Sequence, residues 1–77
     1  MKEFEKQIAV LRILPVEVIV NEYRLGAIPL SLAISSILVK YGAEESISEE
    51  SLVKLNKVVK DTTIIGEELY LAIKHLV

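Results

Sequence analysis

Val16-Glu17-Val18-Ile19-Val20-Asn21-Glu22-Tyr23-Arg24-Leu25 decides the fold class of this chain. Val16, Val18 and Val20 alternate with Glu17 and Asn21, which is a strand signal. Ile19, however, would then fall on the polar side. A 3.6-residue period sorts the stretch better: Val16, Ile19, Val20 and Tyr23 share one face, and Glu17, Asn21, Glu22 and Arg24 lie elsewhere. A hairpin built here would have no third strand to support it, and an isolated hairpin is marginal in water. The helical reading is therefore preferred over the strand, with Gly26 suited to the helix C-terminus.

Upstream, residues 2–14 read as a first helix. Phe4, Ile8 and Leu11 sit on one face and Lys2, Glu3, Lys6 and Gln7 largely away from it. Pro15 either kinks that helix or opens the next one. Downstream, Pro29 marks a start, and Leu30, Ala33, Ile34, Ile37, Leu38 and Tyr41 follow the helical period to a stop at Gly42. This segment is the most apolar and is expected at the centre.

Residues 43–48 read as a loop. Ser46 with Glu49 spells a capping box, and Ser48 is a competing cap. Leu52, Leu55, Val58 and Val59 then point inward, followed by Ile65, Leu69, Ala72, Ile73 and Leu76 in a last segment capped around Asp61-Thr62-Thr63. Residues 49–77 fit either one long helix or two. The charges favour two: Glu49 and Glu50 open one segment and Lys57 and Lys60 close it, then Glu67 and Glu68 open another and Lys74 and His75 close it. Acid at the start and base at the end complements the dipole of each helix, by about 0.3–1 kcal/mol per charge.

These segments predict an all-α fold, a compact bundle of four to five short helices with tight antiparallel connections, forming one domain over residues 1–77. Leu, Ile and Val fill 30 of the 77 positions, and mean hydropathy is +0.46. A domain near this size buries only about 60% of the surface its unfolded chain exposes. Some aliphatic side chains are thus expected outside the core, gathered into an interaction patch. Leu30, Ile34, Ile37, Leu38 and Tyr41, with Leu69, Leu71 and Ile73, are the candidate surface. Leu71 stands out because it lies off the expected inner face.

Catalytic equipment is sparse. There is no Cys, and His75 is the single imidazole, close to Val77. Gly26, Gly42 and Gly66 are too scattered for a phosphate cradle. Glu44, Glu45, Glu49 and Glu50 form an acidic cluster but lack the offsets and turning Gly of a cation loop. Asp61, Thr63 and Gly66 imitate half of a calcium loop, whose closing Glu falls on Ala72. Tyr23, Tyr41 and Tyr70 each border an apolar face. No enzyme activity, cofactor or metal is expected.

The net charge of −2 exerts no broad pull on nucleic acid or anionic lipid. Lys54, Lys57 and Lys60 nevertheless make a basic stripe. The longest uncharged run, residues 25–39, would span about 22 Å as a helix, short of a bilayer core of about 30 Å. The expected partner is another protein or a second copy of the chain, rather than nucleic acid or a membrane. The expected location is cytoplasmic, and the Ile, Val, Glu and Lys-rich blend is that of a thermophile.

Residues 28–77 resemble archaeal histones. The likeness is carried by Ile28-Pro29-Leu30 before an apolar helix, Gly42-Ala43-Glu44, and Ile47-Ser48-Glu49-Glu50-Ser51 leading to Leu55 and Lys57. It implies a handshake dimer with a long central helix and an association with DNA. The family's DNA-contacting arginines stand here as Ser36 and Glu45, and its last loop and helix have no counterpart in residues 1–77.

Overall fold

The computed structural model describes residues 2–43, 46–61 and 63–77. Five helices follow in order: α1 (Lys2–Leu11), α2 (Val16–Arg24), α3 (Leu30–Lys40), α4 (Glu49–Lys60) and α5 (Gly66–Leu76). No strand occurs among the described residues, and the ambiguous stretch forms the helix Val16–Arg24 with Leu25 as its C-cap. Val16, Ile19 and Val20 are buried together, as the 3.6-residue period requires. The protein is an all-α bundle.

α3 is the hub and packs on α1, α2, α4 and α5. Ala33, Ile34, Ile37 and Leu38 join Val16, Ile19, Val20, Leu55, Val59, Leu69 and Ile73 in one core cluster. Leu32 and Ser36 are also fully buried, although they lie off the expected inner face of α3. A helix apolar nearly all round is one that is covered all round. α1 supplies that second cover through half-buried Ile8 and Leu11, and none of its described side chains is fully buried.

Helix ends are closed in two ways. α2 and α3 close themselves: Ala27 N–H donates to the Glu22 carbonyl and Gly26 N–H to Tyr23, and Ala43 donates to Leu38 and Gly42 to Val39. Gly42 sits at φ +80°, the left-handed conformation this motif needs. The other three helices borrow donors from elsewhere in the bundle. Lys40 Nζ reaches the Arg12 carbonyl just past α1 at 3.3 Å, Arg24 Nη2 reaches Val59 in α4 at 2.6 Å, and Ser51 Oγ reaches Leu76 in α5 at 3.2 Å. These bonds satisfy carbonyls that a helix terminus leaves without partners. The Ser51–Leu76 bond joins the start of α4 to the end of α5, so these helices run antiparallel.

Several expectations need correction. α1 stops at Leu11 rather than Leu14, because a residue preceding proline is driven out of the helical region; Pro15 then serves as N-cap of α2. Ser48, not Ser46, caps α4: its Oγ accepts from Ser51 N–H at 3.1 Å. α5 starts at Gly66, so Ile65 precedes the helix and is exposed. Phe4, expected inward, is 39% exposed at the start of α1. Residues 49–77 form two helices, so the long central helix of a histone handshake is absent. Ser36, aligned with a DNA-contacting arginine, is buried and donates its hydroxyl to the Leu32 carbonyl at 2.8 Å. Glu44, Glu45 and Thr62, named above in the acidic cluster, the histone alignment and the α5 cap, lie outside the described residues.

Candidate interaction surface

The eight residues of the expected aliphatic surface do not form one. Ile34, Ile37, Leu38, Leu69 and Ile73 are core residues, and Leu30 is half-buried against the core. That correction has a simple cause. α3 is surrounded by four helices, so the most apolar segment is the most enclosed one. Only Tyr41, at 37%, and Leu71, at 56%, stay exposed. Tyr41 is stacked on Tyr70 with ring centroids 4.3 Å apart, so its ring serves the α3–α5 contact as well.

The exposed aliphatics sit elsewhere. Val10 in α1 is 61% exposed, and Ile13 in the turn after it is 72% exposed; Leu25, Val53 and Ile65 are also open. For Val10 and Val53 a signal lay in the helical phase, whereas Ile65 was expected to face inward. Val10 and Val53 stand off the inner faces of their helices, just as Leu71 does.

Two open grooves run along the flanks of α1 where it meets α3. One, about 300 Å³, is walled by Val10, Leu11, Ile28 and Leu32, with Glu3, Lys6 and Gln7 at its rim. The other, about 480 Å³, is walled by Phe4, Ile8, Ala9 and Val39, with Glu5 and Arg12 on it. Their linings are mainly aliphatic, and neither brings together a nucleophile and a base. The exposed Val10 borders the first, and Ile13 follows Arg12 at the end of the second.

Lys54, Lys57 and Lys60 are all exposed on α4. The stripe therefore exists as a solvated basic face. His75 is exposed near the end of α5. Tyr23 donates its hydroxyl to Asn56 Oδ1, tying α2 to α4 rather than facing a ligand. Among the described residues no group of three or more His, Asp or Glu side chains is placed to hold a metal ion. No helix among them is long and apolar enough to cross a membrane.

The chain matches no protein-family model, no curated protein and no solved structure.

Proposed function

We propose that this protein is a non-catalytic helical interaction module, acting in the cytoplasm, that binds another polypeptide along α1. The observation that carries the reading is the pair of open aliphatic grooves flanking α1, with Val10 and Ile13 exposed beside them. Covering one such side chain contributes about 1–2 kcal/mol, so a partner that buries both gains a usable share of a micromolar affinity. Polar groups at the rims, Glu3, Lys6, Glu5 and Arg12, supply orientation.

Site-specific photo-crosslinking in the native cell tests the reading. A crosslinker at Val10 or Ile13 should capture a polypeptide, and one at Lys57 on the basic face should not. Absence of any crosslinked polypeptide at Val10, Ile13 and Leu71 alike would remove the interaction reading. Capture of nucleic acid at Lys54, Lys57 or Lys60 would replace it with the DNA-associated alternative.

A further inference from the structure

We infer that the polypeptide seated in the groove of Phe4, Ile8, Ala9 and Val39 is a second copy of this chain, with the two α1 helices antiparallel about a two-fold axis. This rests on the interaction reading above and specifies its partner.

Two opposite charges mark the groove. Glu5 and Arg12 are seven residues apart, about 10 Å along the helix axis, and lie on the same flank of α1 with Ala9 between them. Neither side chain makes an ion pair or hydrogen bond among the described residues. One end of an otherwise aliphatic groove is thus negative and the other positive. Lys40, whose Nζ lies at the Arg12 carbonyl, adds charge to the positive end.

Such a surface is its own complement when reversed. In an antiparallel pair centred between Ile8 and Ala9, residue numbers facing each other sum to seventeen. Glu5 then meets Arg12 of the second copy, and Arg12 meets its Glu5. Ile8 meets Ala9, whose methyl leaves room for the larger side chain. Phe4 comes beside the exposed Ile13 of the second copy. A two-fold interface requires this reciprocity, with each contact made twice by one patch. A parallel arrangement would set Glu5 against Glu5 and Arg12 against Arg12. The sign pattern therefore selects the antiparallel pairing of like chains.

The same geometry bounds the strength. α1 is only 10 residues long, so the interface falls in the small, reversible class. Ion pairs at its rim set register more than affinity. Apolar contact along Phe4, Ile8, Ala9 and Ile13 supplies the rest.

Sedimentation velocity over a wide concentration range tests this on the full chain. Mass should rise from monomer to dimer with concentration. Glu5→Arg or Arg12→Glu alone turns two attractions into two repulsions and should weaken the dimer about tenfold or more. The double exchange Glu5→Arg/Arg12→Glu should restore it, and an equimolar mixture of the two single variants should form a mixed dimer. Lys57→Glu should change nothing. Both substituted residues are exposed, and circular dichroism establishes that the helices are kept. A monomer at every concentration overturns the inference, as does a dimer indifferent to these charges or a double exchange that fails to re-associate. A monomer that still crosslinks to other polypeptides from Ile13 removes the second copy and leaves the interaction module standing.

Discussion

The rings of Tyr41 and Tyr70 lie stacked, with centroids 4.3 Å apart and planes inclined by 17°. Tyr41 caps the C-terminal end of α3 and Tyr70 lies in α5, so the pair fastens the hub helix to the last one. Offset aromatic pairs contribute about 0.5–1.5 kcal/mol beyond the area they bury. A double-mutant cycle of Tyr41→Ala and Tyr70→Ala should return a coupling in that range from urea unfolding. Additive losses would mean that the stack contributes only area.

Ser36 is the one polar side chain buried among the described residues of α3. It falls on one stripe of α3 with Leu32 and Val39, each of which lines a groove against α1. Its hydroxyl bonds only the Leu32 carbonyl within its own helix. Ser36→Ala should therefore cost no more than about 1 kcal/mol. Ser36→Leu should cost about 1–3 kcal/mol, because the added carbons push α1 away. Hydrogen exchange reads this directly, with α1 amides losing protection before those of α4 and α5. Retained protection in α1 would place Ser36 outside the α1–α3 seam.

Gly66 opens α5 at φ +58°, and a methyl group there would meet nothing within 4 Å. The cost of a side chain is then backbone strain alone. Gly66→Ala should destabilise by about 1–2 kcal/mol, and Gly66→Asn by less, since Asn tolerates the left-handed region. For a domain of this size each kcal/mol appears as a melting shift of about 4–8 °C. Equal melting temperatures for Ala and Gly would show that the turn can relax.

Asp61 holds the α4–α5 turn. Its Oδ1 accepts from the Thr63 hydroxyl at 2.6 Å and from the Thr63 N–H at 2.9 Å. The hydroxyl first, and then the backbone amide, keep the carboxyl below its ordinary value of 3.8. A carboxyl depressed in the folded state adds stability that is fully present above its unfolded value. That contribution fades as pH falls through the ordinary value toward the lowered one. Acid unfolding of Asp61→Asn should show a shallower stability decline across that window than the parent. Thr63→Val, which removes the stronger bond, should fall between them. Parallel curves for parent and Asp61→Asn would rule out this linkage.

Much of the bundle could be read from side-chain spacing. The faces Val16–Ile19–Val20, Ile34–Ile37–Leu38, Leu55–Val59 and Leu69–Ile73 are all buried as their helical phase implies. The break between α4 and α5 was legible in the alternation of Glu and Lys, because each helix dipole acts locally on its own ends. The surface was less legible. An excess of aliphatic residues indicates that some must stay exposed, but not which ones. Ile37 and Val10 are similar in chemistry, yet one is fully enclosed and the other 61% exposed. Their fates differ because α3 packs against four other helices while α1 packs chiefly against α3.

By itself the order of residues determined local matters: four to five helical periods, the punctuation at Pro15, Pro29 and Gly42, and most of the face each helix would hide. Those follow from interactions within a few residues along the chain. Only the tertiary arrangement decided that α3 is the hub, that Ser36 is buried, and that Lys40, Arg24 and Ser51 close the ends of other helices. It also decided that two open, mainly aliphatic grooves flank α1. These depend on which face meets which, a choice made by packing between segments far apart in the chain.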